Sequence, residues 1–132
     1  MKKVFVNGTF DLLHPGHLKL LNFAKSHGDY LIVGIDSDDR VKEKKGQKRP
    51  IYNQDDRAFF LKTLKPVDQV EMFSSDEELE ILIKRVQPDI MIVGSDWKGK
   101  SVIGSYYASK LIFFDRIEEY ASTKTIQNII DR

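Results

Sequence analysis

The 132-residue chain contains no cysteine, which excludes disulfide bonds, thiolate metal ligands and a cysteine nucleophile. A reducing compartment is favoured, and we expect a cytoplasmic protein. No apolar run approaches the ~20 residues that a membrane-spanning helix needs, so no membrane partner is expected. Net charge is nearly absent as well, because 21 basic and 20 acidic residues leave +1. This balance gives no reason to expect a nucleic acid as partner.

The residues that are present suit one globular domain. Hydrophobic residues make up 41% and charged residues 31% of the chain, and the length fits one core, so residues 1–132 are interpreted as a single domain. Short apolar runs alternate with segments of helical pattern. The runs are residues 4–6, 30–35, 69–73, 90–93 and 111–114. This alternation predicts an α/β Rossmann-like fold, with a parallel sheet of about five strands and helices on both faces.

Capping residues indicate where several helices begin. The predicted starts are near Pro15, Asn53, Ser75 and Ser122. Proline suits the first helical position, and Asn or Ser side chains accept the backbone N–H groups that a helix N-terminus leaves unpaired. Gly28 is predicted to lie near the C-terminal cap of the first helix, where glycine tolerates a left-handed backbone.

A strongly basic segment follows the second predicted strand. The acids of residues 36–39 are interpreted as a helix start whose charge matches the helix dipole. Residues 40–49 then carry six cationic side chains against the one acid Glu43. These cations are Arg40, Lys42, Lys44, Lys45, Lys48 and Arg49. The segment is interpreted either as a solvated loop or as a flexible basic loop that reaches a polyphosphate.

Polar residues collect where the predicted strands end. In a parallel sheet, ligands bind outside the carboxyl ends of the strands, at the point where the strand order reverses. Polar or unusual segments follow the first, second, fourth and fifth apolar runs. These segments are residues 7–17, 36–49, 94–100 and 115–124. The sequence therefore predicts the functional site at this edge.

The element His14-Pro15-Gly16-His17 carries the chemistry. Histidines three residues apart share one face of a helical turn, and Gly16 lets a phosphate approach the backbone. Free N–H groups at a helix N-terminus bind anions. Two imidazoles there would donate hydrogen bonds to phosphate oxygens and stabilise the charge of a departing pyrophosphate. The preceding residues 8–11 make the longer string much more specific than a bare H-x-G-H.

Residues 8–17 (GTFDLLHPGH) resemble the first signature of the HxGH nucleotidyltransferases of the cytidylyltransferase-like superfamily. The resemblance extends across nearly the whole chain. Residues 94–100 (GSDWKGK) are similar to Gly-Asp-Asp-Trp-Glu-Gly-Lys of the glycerol-3-phosphate cytidylyltransferases, the branch that the chain resembles most. Residues 48–50 and 102–105 look more like the adenylyltransferase domain of heptose-phosphate enzymes.

The C-terminal signature of this superfamily is matched less well. Residues 116–123 are similar to Arg-Thr-Glu-Gly-Ile-Ser-Thr-Thr, but the spacing from Arg116 to Ser122 is one residue longer than in the signature, and Lys124 replaces the second threonine. A lysine side chain has no acceptor, so Lys124 cannot cap a helix as threonine does. The role of this turn stays open, whereas the family resemblance does not depend on it.

The resemblance implies roles for particular residues. His14 and His17 would contact the triphosphate and stabilise the transition state, together with Lys44 and Arg116. The residues implied in nucleotide binding are Thr9, Phe10, Gly16, Asp96, Trp97, Ser122 and Thr123, besides His14, His17 and Arg116.

The resemblance also implies which residues bind the acceptor substrate and the metal ion. The implied substrate-binding residues are Asp11, Lys44 and Arg57, with Lys42 and Lys45 as alternatives to Lys44. The cofactor implied is Mg²⁺, held mainly by the triphosphate, and Asp11 would either help to hold this ion or orient its loop.

The preferred hypothesis is a cytidylyltransferase that joins CTP to a polyol phosphate such as glycerol 3-phosphate. Attack in line on the α-phosphate would give a CDP-alcohol and pyrophosphate. The alternative is an ATP-dependent adenylyltransferase acting on a sugar or heptose 1-phosphate, or on FMN. A non-catalytic nucleotide-binding module is the alternative from another class, which the intact histidines disfavour. The expected partners are a nucleoside triphosphate, a small phosphorylated alcohol or sugar, and a second copy of the chain in a homodimer.

Overall fold

The computed structural model describes residues 1–115 and 121–132. These residues form five strands and five α-helices; the sequence predicts all five strands, but not the whole helix over residues 38–45. The strands are β1 (Lys3–Gly8), β2 (Tyr30–Asp36), β3 (Gln69–Phe73), β4 (Ile90–Gly94) and β5 (Lys110–Phe114). The helices are α1 (Pro15–Lys25), α2 (Asp38–Lys45), α3 (Gln54–Thr63), α4 (Asp76–Val86) and α5 (Ser122–Ile130). None of these helices is long and apolar enough to cross a membrane.

The strands form one parallel sheet in the order β3-β2-β1-β4-β5. The chain moves outwards from β1 through β2 to β3, and then returns to place β4 on the other side of β1. The order therefore reverses between β1 and β4, which is where such sheets bind ligands. The predicted Rossmann-like α/β fold is confirmed.

Helices cover both faces of the sheet, because alternate side chains of each strand point to opposite faces. In β1, Val4 and Val6 pack with residues of α1 and α3, whereas Phe5 packs with residues of α4. All three side chains are buried. The two apolar layers leave the carboxyl edge of the sheet as the place where polar residues gather.

The basic segment is mostly helical, which corrects the prediction of a flexible loop over residues 40–49. The Ser37 side chain caps α2 by accepting the N–H of Arg40, and Asp38 and Asp39 occupy the first turn. Lysines fill the last turn, so both ends suit the helix dipole. The acidic start was predicted correctly. Its continuation was missed because a helix with no apolar stripe gives no periodic signal.

Gly28 is not the C-terminal cap of α1. The helix ends at Lys25, with Ser26 as its cap. A Cβ added at Gly28 would lie 2.7 Å from Val4 Cγ2 and 2.8 Å from the Lys2 carbonyl oxygen. Glycine is therefore required here by the close approach of β1, not by helix termination.

Candidate active site

A cavity of about 670 Å³ opens at the carboxyl edge of the sheet, across the β1/β4 reversal. It lies between the loop after β1, the start of α1, the end of α2 and the N-terminus of α5. From the first part of the chain it is lined by Thr9, Phe10, Asp11, His14, Gly16 and His17. From the rest it is lined by Lys44, Asp96, Trp97, Ser122 and Thr123. The tertiary structure thus brings eleven of the predicted site residues to one cavity.

The loop between β1 and α1 is wound into an unusual shape. Phe10 and Leu12 both have positive φ angles, 53° and 55°, which non-glycine residues adopt only where their surroundings hold them. Asp11 lies between them and is 1% exposed. Its carboxylate accepts the backbone N–H of Ile51 at 2.6 Å and of Tyr52 at 2.9 Å. Asp11 therefore ties this loop to the segment between α2 and α3.

The two histidines are oriented by backbone N–H groups. Nδ1 of His14 accepts the N–H of Gly16 at 3.1 Å, and Nδ1 of His17 accepts the N–H of His14 at 3.2 Å. The rings stack with centroids 3.8 Å apart. A ring nitrogen that accepts an amide hydrogen carries no proton, so each neutral ring holds its proton on Nε2. Both rings can therefore act as hydrogen-bond donors in the cavity.

His17 is kept neutral by its surroundings. Burial is the largest cause that lowers its pKa, and electrostatic interactions with His14 and Lys45 lower it further, against a smaller opposing effect of Asp11. Together they bring the pKa of His17 from 6.5 to about 4. At neutral pH the ring contributes a hydrogen-bond donor without a full positive charge.

Helix α2 delivers cations to the cavity from the β2 side. Lys44 and Lys45 line the cavity, whereas Lys42 does not. The ammonium of Lys42 donates instead to the carbonyl of Arg49 at 3.3 Å. Their spacing in the sequence does not show which of these lysines faces the cavity. The tertiary structure separates them, because the Arg49 carbonyl holds the Lys42 ammonium while Lys44 and Lys45 line the cavity.

Arg40 also lines the cavity, between two carboxylates. Its Nε donates to Asp36 at 2.8 Å and its Nη2 to Asp76 at 2.5 Å. Burial alone would lower the pKa of Arg40, but the hydrogen bonds to Asp76 and Asp36 outweigh it, and the net shift is upwards. The hydrogen bond from Arg40 in turn lowers the pKa of Asp76. Sequence reasoning missed both residues, since Asp76 reads as an ordinary acid at a helix start.

Arg57 corrects the prediction of a substrate-facing arginine. It is 1% exposed and does not line the cavity. Its guanidinium donates to three carbonyl oxygens and one carboxylate, which use most of its N–H groups. The acceptors are Tyr52 O, Thr9 O, Asp36 O and Asp38 Oδ1, all at 2.8–2.9 Å. Arg57 therefore positions the loops behind the cavity.

The N-terminus of α5 reaches the cavity at the loop after β1. The Ser122 hydroxyl donates to the carbonyls of Asp11 and Leu12. The N-cap residue, Ala121, offers no side-chain acceptor, so the first turn presents backbone N–H groups that have no partner within the helix. Such a turn is a ready anion site. Lys124 does not line the cavity, and the predicted Arg116 lies outside the described residues.

Trp97 and Asp96 occupy a short 3-10 turn, Ser95–Trp97, directly after β4. The indole lines the cavity and is 47% exposed. The ammonium of Lys100 lies over the Trp97 ring, 6.0 Å from its centroid. A half-exposed aromatic face at the mouth of a cavity suits stacking on a planar base.

The side chains around the cavity suit a metal ion that is bound mainly by the phosphates of a substrate. In residues 1–115 and 121–132, no group of three or more His, Asp or Glu side chains is placed to hold a metal ion. Mg²⁺ is commonly bound by one or two carboxylates plus substrate phosphates. Both oxygens of Asp11 already accept backbone N–H groups. The structure thus gives Asp11 a loop-orienting role in place of the predicted metal-ligand role.

The family profile described as Cytidylyltransferase-like matches residues 5–126. The chain belongs to the cytidylyltransferase-like family. This membership places it among the nucleotidyltransferases of that family.

Curated relatives in this family share nearly half of their aligned residues with the chain. The Bifunctional protein HldE of Sulfurimonas denitrificans is 48% identical over 128 residues, which are 97% of this chain and 27% of that protein. The Bifunctional protein HldE of Nitratiruptor is 48% identical over 126 residues, 96% of this chain and 27% of that protein. The chain therefore spans about a quarter of the length of these relatives.

A solved structure agrees with the fold. The crystal structure of the lipopolysaccharide core biosynthesis protein from Thermoplasma volcanium superposes with a TM-score of 0.69 at 27% identity. The match covers 92% of this chain and 99% of that chain.

Proposed function

We propose that this chain catalyses adenylyl transfer from ATP to a heptose 1-phosphate, giving an ADP-heptose and pyrophosphate. The observation that carries the proposal is the 48% identity to HldE over 97% of the chain, because the C-terminal domain of HldE is the heptose-phosphate adenylyltransferase. This supports the alternative hypothesis of the sequence analysis over transfer of CMP to glycerol 3-phosphate.

The cavity geometry suits this reaction. A phosphate oxygen of the acceptor attacks the α-phosphorus of ATP, the bond between that phosphorus and the bridging oxygen of the β-phosphate breaks, and pyrophosphate leaves. No covalent enzyme intermediate is needed, so catalysis consists of positioning and charge stabilisation. The Nε2–H groups of His14 and His17 would donate to phosphate oxygens as charge develops. Lys44 and the N-terminus of α5 add positive potential on either side.

The proposal also gives roles to the residues near the nucleotide base and to Mg²⁺. Trp97 and Asp96, after β4, would contact the base and ribose of the nucleotide. Mg²⁺ would neutralise charge on the triphosphate, and it would be held mainly by the phosphates. A homodimer remains a prediction of the family resemblance.

A second candidate, transfer of CMP to a polyol phosphate, keeps one specific observation in its favour. Residues 94–100 are similar to the Gly-Asp-Asp-Trp-Glu-Gly-Lys segment of glycerol-3-phosphate cytidylyltransferases. That segment forms the end of β4 and the turn that carries Trp97. Both candidates therefore use the same cavity and differ in base and acceptor.

A pyrophosphate-release assay distinguishes the candidates. ATP and CTP are each combined with heptose 1-phosphate, glycerol 3-phosphate or FMN in the presence of Mg²⁺. We expect turnover with ATP and heptose 1-phosphate, loss of that turnover on chelation of Mg²⁺, and strong loss in a His14→Ala, His17→Ala double variant. Turnover confined to CTP and glycerol 3-phosphate would overturn the adenylyl proposal. Binding of nucleotide without release from any pair would favour the non-catalytic module.

A further inference from the structure

Arg49 presents buried N–H groups to the cavity without a hydrogen-bond acceptor. Its side chain is 12% exposed, and it lines the cavity. Nε and Nη2 are buried and, among the residues that the structure describes, neither has a hydrogen-bond partner. A buried guanidinium donor without an acceptor is costly. The arrangement is therefore explained if a ligand in the cavity supplies the missing acceptor.

The protein groups around Arg49 hold the guanidinium without satisfying it. Asp11 Oδ2 is 3.8 Å from Nε, too far for a hydrogen bond. Both Asp11 oxygens already accept backbone N–H groups at 2.6 and 2.9 Å. Nη1 donates to Thr123 Oγ1 at 3.4 Å. Asp11 thus fixes the position of the cation while leaving part of its hydrogen-bonding capacity for another anion.

The surroundings of Arg49 favour an anion of high charge. Thr123 belongs to the first turn of α5, whose N–H groups point away from the helix body. Lys44 and Lys45 line the same cavity. A guanidinium beside a helix N-terminus binds two oxygens of one phosphate group with parallel hydrogen bonds. When two oxygens of a terminal phosphate bind the guanidinium, a third oxygen is left for the N–H groups of α5, whereas a carboxylate has only two oxygens.

We propose that Arg49 is a phosphate-binding residue of this cavity, acting with the N-terminus of α5 on a phosphate group of the substrates. Its proximity to Thr123 and to the loop that carries the histidines favours the terminal phosphates of the nucleotide, which leave as pyrophosphate. The phosphate of the acceptor is the other source of the same chemistry. The inference rests on the proposed nucleotidyl transfer, but it requires neither ATP nor a heptose in particular.

The test measures binding to wild type and to Arg49→Met and Arg49→Lys variants by titration calorimetry. The ligands are inorganic pyrophosphate, ATP, AMP and heptose 1-phosphate. Lys48→Met is the matched control, since it removes an adjacent, exposed cation that does not line the cavity. Melting temperature and circular dichroism establish that each variant is folded.

We expect Arg49→Met to weaken pyrophosphate and ATP binding on the order of tenfold to a hundredfold, the usual range for a charge-assisted hydrogen bond. AMP binding should change little, Arg49→Lys should be intermediate, and Lys48→Met should match wild type. Weakened binding of heptose 1-phosphate alone would support the proposal with the acceptor as the source. Unchanged binding of both pyrophosphate and heptose 1-phosphate by a folded Arg49→Met protein would overturn it.

Failure of the proposed function gives a different pattern. If the chain uses CTP, wild type fails to release pyrophosphate from ATP, yet inorganic pyrophosphate still binds and still depends on Arg49. If Arg49 acts only by holding the loops together through Asp11, the melting temperature falls while pyrophosphate affinity of the folded protein is retained.

Discussion

His14 and His17 together cap the N-terminus of α1. The ring of His14 accepts the N–H of Gly16, and the ring of His17 accepts the N–H of His14 itself. This is the reciprocal arrangement of a capping box, with imidazoles in place of the usual hydroxyl and carboxylate. The residues that start α1 are therefore the same ones that present Nε2–H donors to the cavity.

His17 has two roles that substitution can separate. His17→Ala removes both the Nε2–H donor and the acceptor of the His14 N–H, whereas His17→Gln keeps an acceptor suited to a capping box. We expect His17→Ala to lose about 1 kcal/mol of unfolding free energy, and His17→Gln to lose less. Turnover should fall on the order of 10²–10³-fold in His17→Ala, because one preorganised transition-state donor is lost, and it should stay well below wild type in His17→Gln, whose amide N–H groups lie at a different position from Nε2–H.

Urea unfolding and pyrophosphate release measure these two effects. A folded His17→Ala variant with turnover within threefold of wild type would remove His17 from the mechanism. Full turnover in His17→Gln would show that the imidazole itself is not required, since the Gln amide can both cap the helix and donate.

The low pKa of His17 predicts acid-sensitive stability. The folded pKa is about 4 and the ordinary value is 6.5, so between these values the unfolded chain binds a proton that the folded chain does not. The contribution of His17 to the unfolding free energy is therefore complete above pH 6.5 and is lost as pH falls towards 4. His17→Gln should show a smaller loss of stability over this window.

NMR titration of the histidine ring protons tests the origin of this effect. The His17 resonance should titrate well below pH 6.5. The pH profile of kcat/KM should therefore show no ionisation of His17 near pH 6.5, and in this range the profiles of wild type and His17→Gln should have the same shape. A His17 midpoint near 6.5 in the folded protein would contradict the predicted burial of this ring.

Lys44 is predicted to act on the phosphates while Lys48 does not. Both side chains are exposed and cationic in the same segment, but only Lys44 lines the cavity. Lys44→Met should lower kcat/KM on the order of tenfold or more, whereas Lys48→Met should leave it within twofold. Steady-state kinetics at low and moderate salt measure the difference. Equal effects of the two substitutions would show that bulk charge, and not position, matters.

Arg57 is predicted to affect folding more than binding. Arg57→Met leaves Asp38 and three carbonyl oxygens, one of them in a buried contact, without their donor. Loss of one partner from a buried charged network costs about 3–5 kcal/mol, so the midpoint of urea unfolding should fall steeply. The KM for the acceptor in the remaining folded protein should change little. A stable Arg57→Met protein with a raised acceptor KM would restore the substrate-facing role that its sequence position suggested.

Local sequence patterns determined the fold and much of the cavity. Apolar runs flanked by caps predicted each strand, and the rule that ligands bind at the carboxyl ends of parallel strands placed residues from distant segments together. His14, Gly16 and His17 were recognisable because one short element sets both the helix start and its donors. Trp97 was recognisable because it follows β4 directly.

The roles of the arginines depended on the tertiary structure. From the sequence, Arg49 is one cation of the basic segment and Arg57 is an implied substrate-binding residue, yet Arg49 lines the cavity and Arg57 lies buried behind it. The difference depends on partners far along the chain, since Arg49 meets Asp11 and Thr123 whereas Arg57 meets Thr9. Side-chain direction is set by these long-range contacts, because neighbouring positions have the same local propensity. The sequence by itself therefore determined which edge carries the site, and only packing decided which charges face the ligand.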